Sequence, residues 1–204
     1  MRLFLALDLP RRIRSALEDL QNDLPGANWV DYDNLHITLR FLGDVSADMA
    51  EELDHELRRI DRPSFDLTPY GCGQFSNGRG VKTLWVGLAP VEPLLALKAD
   101  VDRACRRAGF PAERQGYKPH ITLARFPEPP LIEDARAFLE RHGGFRRPSF
   151  RVSGFSAYSS TLRPDGPIYR LEADYPFADA GIGPSPYFGD RDEDSEEAWS
   201  SAGD

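Results

Sequence analysis

The tetrapeptide His-Ile-Thr-Leu occurs twice in this 204-residue chain, at 36–39 and at 120–123. The likeness continues outward, LHITLRFLG in the first copy against PHITLARFP in the second. Each copy reads as a β-strand followed by a loop and a helix. In a strand side chains alternate between faces, so His36 and Thr38 share one surface while Ile37 and Leu39 anchor the other. His120 and Thr122 stand against Ile121 and Leu123 in the same way. This reads as an internal duplication in which each of two lobes supplies one copy. If the lobes face each other across a pseudo-twofold axis, two imidazoles and two hydroxyls converge on one cleft.

Such a site suits a phosphodiester. One neutral histidine takes a proton from attacking water, and a protonated one gives a proton to the departing ribose oxygen. Both titrate near neutrality without extreme tuning. The threonine hydroxyls hydrogen-bond the non-bridging oxygens and help hold charge in the transition state. The chemistry needs no metal or other cofactor, and His-x-Thr is no common zinc-ligand pattern. The other two histidines, His55 on the polar side of a helix and His142 near a helix end, read as structural.

The rest of the chain places the repeat in an α+β fold. Strands are expected at 2–8, 35–42, 119–125, 149–158 and 167–174, and a hairpin at 65–75 and 81–88 around Ser76–Gly80. Helices are expected from Pro10 to about Leu24, from Ala47 to Ile60 behind a Ser46 cap, from Val91 to Ala108 before Gly109, and over 131–142. The apolar face of the first carries Ile13, Leu17, Leu20 and Leu24, and that of the second Met49, Leu53, Leu57 and Ile60. Strict βαβ alternation is lacking and several strands are joined by short turns, which favours antiparallel sheets over a doubly wound fold. Cys105 shares a core stripe with Leu97, Val101 and Ala108, and Trp85 belongs to a buried strand.

The net charge of −8 is concentrated at one end. From Asp179 onward there are eight acidic residues and one Arg, so residues 1–178 carry about −1. A neutral body excludes a surface that coats long nucleic acid. Residues 178–204 read as a disordered acidic tail behind a single 1–177 domain. Two cysteines make no disulfide or metal framework and point to a reducing, cytoplasmic setting. No apolar run approaches the roughly 20 residues that span a bilayer, and MRLFLALDLP reads as a first strand rather than a secretion signal.

At the repeated residues the sequence resembles the 2H phosphoesterase family, within it the RNA 2',3'-cyclic phosphodiesterase branch (LigT/ThpR type, formerly called 2'-5' RNA ligases). The likeness spans about residues 2–177. It includes LHITLRFLGDV (35–45), the segment from Gly73 through LWVGL (84–88), YKPHITLAR (117–125) and YSSTLRPDGPIYRLEADYPF (158–177). The resemblance implies two lobes with antiparallel sheets and flanking helices around a central cleft. It also implies hydrolysis of a terminal 2',3'-cyclic phosphate on RNA, or of cyclic nucleotides, to a 2'-phosphomonoester. His36, Thr38, His120 and Thr122 fall on its catalytic positions, with His36 as proton donor and His120 as acceptor. Arg125 matches an arginine that approaches the phosphate, although strict alternation turns it away from His120 unless the strand ends or bulges. Phe41 matches an aromatic that stacks on the base, with core packing as the other reading of that residue. A 2'-5' ligase or phosphodiesterase, a noncatalytic RNA-end binding module and a metallohydrolase are the competing functions. A cleft complete within one chain makes a monomer sufficient.

Overall fold

Residues 1–22, 24–113, 116–163 and 166–179 are described by a computed structural model of the chain. They form two antiparallel sheets. The first runs in the order β3 (His36–Asp44), β1 (Arg2–Asp8), β8 (Gly154–Arg163), β9 (Gly166–Pro176). The second runs β2 (Asn28–Trp29), β6 (His120–Arg125), β5 (Gly80–Ala89), β4 (Phe65–Asn77), β7 (Phe150–Val152). Four helices accompany them: α1 (Arg11–Glu18), α2 (Ala47–Leu57), α3 (Glu92–Arg107) and α4 (Ile132–His142). The fold is α+β. No helix among the described residues is long and apolar enough to cross a membrane.

The sheets are not consecutive halves of the chain. β1 and β3 are joined in their sheet by β8 and β9 from the far end, while β2 leaves to pair with β6. β1 explains why: it is apolar at every position from Leu3 to Leu7 because both its faces are covered. Leu3, Leu5 and Leu7 enter a core that runs continuously from one sheet to the other, and Phe4 and Ala6 pack with Tyr158 on the opposite face. α3 lies against β3 and α2, and α4 against β4 and β5, while β3 and β6 are the strands through which the sheets approach each other.

Helix ends differ from the periodicity in two places. α1 stops at Glu18, after which the Leu20 and Gln21 N–H groups close tighter turns onto Leu17 O and Glu18 O and the Asn22 amide donates to the Asp19 carbonyl (2.9 Å). Leu20 and Leu24 remain buried in the turn that follows. α2 stops at Leu57, and the Ile60 N–H closes a turn onto Leu57 O before Pro63, whose ring disfavours helix in the residue ahead of it. Ser46 does cap α2, its Oγ accepting from the Met49 N–H, although the Met49 side chain looks outward. Gly109 ends α3 with φ 86°, and the Phe110 N–H reaches back to the Cys105 carbonyl. Cys105 is fully buried, as its stripe requires. At the C-terminal end, the Asp179 carboxylate accepts from the Ser64 N–H and hydroxyl, so the attached body reaches two residues past 177. The expected tail from 180 onward lies outside the described residues.

Candidate active site

The two His-Ile-Thr-Leu segments sit at the start of β3 and β6. Ile37, Leu39, Ile121 and Leu123 are at most 1% exposed, which clamps both strands, while His36, Thr38, His120 and Thr122 stay partly open on the opposite face. β2 covers only the Ala124–Arg125 end of β6, leaving the His120 end facing β3.

Each imidazole is held by the same local device. The Nδ1–H of His36 donates to the Asn34 carbonyl at 2.7 Å, and that of His120 to the Lys118 carbonyl at 2.6 Å. A carbonyl only accepts, so both rings carry their proton on Nδ1 and leave Nε2 as the unprotonated nitrogen. The Thr38 hydroxyl donates to His36 Nε2 at 2.9 Å. Aromatic rings enclose the pair. Phe4 and Tyr169 lie 5.1 and 5.5 Å from the His36 ring, and Phe75 and Trp85 lie 4.9 and 6.3 Å from His120. Trp85 therefore looks into the cleft beside His120, and Gly73 makes room for it, since a Cβ there would sit 2.3 Å from its ring. Burial pushes the proton affinity of His36 down to about 4, opposed by the Asn34 carbonyl and reinforced by Arg125 and His120. His120 is lowered too, by burial and then by Arg125, against the pull of the Lys118 carbonyl. Both rings are thereby neutral at pH 7.

A pair of matching bulges decides what else faces the cleft. On β3, Thr38 lies opposite Ala6 and Arg40 opposite Leu5, so Leu39 is an extra residue. On β6, Thr122 lies opposite Trp85 and Ala124 opposite Leu84, so Leu123 is extra. Two consecutive residues are then buried, Leu39–Arg40 and Leu123–Ala124, and the alternation reverses. The fifth residue after each histidine returns to the histidine's face. That residue is Arg125 in one motif and Phe41, 60% exposed, in the other. The bulge resolves the alternation problem at Arg125, and Phe41 is not a core residue. Arg125 has no ion-pair partner among the described residues and acts electrostatically on His36, His120 and Tyr169.

Arg40, displaced inward by its bulge, is tied to α3. Its guanidinium donates to Asp102 (2.8 Å) and to the Pro111 carbonyl (2.5 Å), and Lys98 bridges Asp102 to Glu113. The Tyr117 hydroxyl donates to the Thr38 carbonyl at 3.1 Å. The segment that leads into His120 is thereby bonded to the backbone of the first motif.

Of the cavities that border the histidines, two combine the motifs. One, of about 490 Å³, brings His36 together with Thr122, Arg125 and Tyr169. The other, of about 560 Å³, brings His120 together with Thr38, Phe41 and Phe75. Each combines the imidazole of one motif with the hydroxyl of the other. Among the described residues no three His, Cys, Asp or Glu side chains gather as metal ligands. Sequence reasoning missed Phe4, Tyr169, Phe75 and the carbonyls of Asn34 and Lys118. Only the fixed position of those carbonyls, two residues before each histidine, left a signal. His55 and His142 lie outside both cavities.

Comparison with known proteins agrees with this architecture. The model of the 2'-5' RNA ligase superfamily matches residues 9–161. An RNA 2',3'-cyclic phosphodiesterase of Thermotoga maritima is 32% identical over 182 residues, covering 84% of this chain and 92% of its own. One from Escherichia coli is 34% identical over 165 residues, covering 79% and 88%. The crystal structure of E. coli LigT complexed with 3'-AMP superposes with a TM-score of 0.72 at 28% identity, covering 87% of this chain and 98% of that one. The chain belongs to the 2'-5' RNA ligase superfamily of 2H phosphoesterases. Its relatives are phosphodiester hydrolases.

Proposed function

We propose that this protein opens 2',3'-cyclic phosphates on RNA ends or cyclic nucleotides to 2'-phosphomonoesters, with His36 and His120 as a metal-independent acid–base pair. The observation that carries the reading is the matched setting of the two rings, each with Nδ1–H tied to the carbonyl two residues earlier, which leaves Nε2 to exchange the proton. His120 Nε2 takes a proton from water as it attacks phosphorus, and His36 Nε2 protonates the departing 3'-oxygen. The acid needs a proton, and burial alone leaves His36 without one at neutral pH. An anionic phosphate beside His36 raises its proton affinity and supplies that condition. Thr38, Thr122 and Arg125 hold the non-bridging oxygens, and Arg125 is available because no carboxylate among the described residues pairs with it. Phe41 offers its exposed ring to a second base on the His120 side, which is where a 2'-5' phosphodiester or a ligation partner would need room. The body through about residue 177 works as one bilobal domain, with a monomer sufficient. The relatives named RNA 2',3'-cyclic phosphodiesterases and the LigT structure holding 3'-AMP support this substrate class.

The test is turnover of a cyclic-phosphate RNA oligonucleotide in excess EDTA, with the phosphate position read by phosphorus NMR. A 2'-phosphate is expected, with turnover reduced about 10²- to 10⁴-fold in His36→Ala and in His120→Ala. Activity that survives either substitution, or that vanishes in EDTA, overturns the mechanism. A 3'-phosphate product reverses the leaving group. A folded protein that turns over nothing but still binds RNA ends is a binding module.

A further inference from the structure

The two cavities that combine the motifs offer different chemistry, and a third on the His36 side, of about 620 Å³, has its carboxylates engaged, Asp8 accepting from the Ser156 and Tyr158 hydroxyls and Asp33 lying 3.8 Å from Arg14. The one on the His120 side holds a single carboxylate, Glu113, and Lys98 already occupies it at 2.6 Å. The one on the His36 side is lined by Asn28, Trp29, Asp31 and Tyr169. There the Asn34 amide is committed to the Pro167 carbonyl at 2.9 Å. Asn28 and Asp31 have no side-chain partner among the described residues. Asp31 precedes a single 3-10 turn, Tyr32–Asn34, yet its carboxylate makes no capping bond to it.

We propose that the His36-side cavity receives the terminal nucleoside of the substrate and that Asp31 reads its base, favouring guanine. The inference rests on the cyclic phosphodiesterase reading with His36 beside the leaving oxygen. In an in-line displacement, water attacks phosphorus from the side opposite the departing oxygen. That oxygen stays bonded to the ribose, so the nucleoside lies on the side of the acid, and the His120 side holds the water. The base then extends from His36 into the adjoining cavity. Its volume of about 490 Å³ falls within the usual range for small-molecule sites. Trp29 and Tyr169 supply aromatic walls of the kind on which an unstacked base rests. At the polar edge, an unpaired carboxylate is an acceptor with two parallel oxygens. Guanine alone among the RNA bases presents two adjacent donors, N1–H and the N2 amino group, on its Watson–Crick edge. Adenine and cytosine present an acceptor beside their amino group, and uracil flanks its single N–H with two carbonyls that a carboxylate repels. A bidentate match of this kind is worth about 10- to 100-fold in discrimination.

The experiment compares kcat/KM for the 2',3'-cyclic phosphates of guanosine, adenosine, cytidine and uridine, for wild type and Asp31→Asn. Asp31 lies at the surface, so the substitution leaves the fold intact. Guanosine is expected to lead the other three by at least about tenfold. In Asp31→Asn that lead collapses, chiefly through a higher KM for guanosine. Equal efficiencies for all four substrates, or a preference for guanosine that persists in Asp31→Asn, overturns the proposal. If wild type turns over neither these four nor a cyclic-phosphate RNA oligonucleotide, the cyclic phosphodiesterase reading has failed, and the pocket is judged by binding alone. Guanosine 2'-monophosphate binding more tightly than the adenosine compound, with the difference lost in Asp31→Asn, keeps the pocket; equal affinities remove it.

Discussion

Protonating His36 in the folded chain means placing a cation among Phe4, Tyr169, Arg125 and His120, and the structure puts the resulting affinity at about 4. In the unfolded chain the same ring titrates near 6.5. Above pH 6.5 both states hold a neutral ring and His36 costs nothing. As pH falls from 6.5 toward 4, the unfolded chain binds a proton that the folded chain does not, so stability is lost through that window. At about 1.4 kcal/mol per unit of displacement, the loss by pH 4.5 is about 2–3 kcal/mol, allowing for water at the open edge of the ring. Asp8, the strand partner of His36, works the other way: burial raises its carboxyl, so the folded state gains as it protonates. Comparing wild type with His36→Gln separates the two. Urea unfolding from pH 7.5 to 4.5 should show wild type losing about 2–3 kcal/mol more than the variant, together with an imidazole NMR titration well below 6.5. Parallel curves for the two proteins, or a His36 midpoint at 6.5, would refute the argument that the aromatic enclosure sets this proton affinity.

Three further outcomes follow from the same geometry. On the proposed acid–base mechanism the productive state holds one proton over two rings that are both lowered, so kcat/KM should peak below about pH 6.5, with apparent limbs that belong to the pair; a maximum at pH 8 is incompatible with it. Arg40→Leu removes a buried guanidinium from Asp102 and the Pro111 carbonyl and should cost about 3 kcal/mol in urea unfolding, with a loss under about 1 showing that the α3 tether is idle. Gly73→Ala drives a Cβ into the Trp85 ring and pushes it toward His120, so kcat should fall at least about tenfold while the fold survives; an unchanged kcat would mean that the indole does not position the histidine.

Much of the site was legible because it rests on short-range geometry. Alternation in a strand is a property of the backbone, so His36 with Thr38 and His120 with Thr122 could be assigned to open faces from the sequence, and Ile37, Leu39, Ile121 and Leu123 to buried ones. Arg125 and Phe41 were harder. Their direction depends on one extra residue in each strand, and a bulge is set by pairing with a neighbour that local sequence does not identify. Phe4 and Tyr169 left no signal, since they come to His36 from β1 and β9, strands far apart in the chain.

By itself the sequence determined the α+β class, the two candidate half-sites and the family they resemble, because repeat, periodicity and turn chemistry are written locally. Only the tertiary structure decided which half-sites meet and in what electrostatic state. It interleaved the sheets, joining β1 and β3 to β8 and β9 and sending β2 across to β6. It tied Tyr117 to Thr38 and Arg40 to α3. It also gave the two imidazoles their enclosures, and burial is a property of everything packed around a group: a histidine that would titrate near 6.5 in water becomes one held near 4.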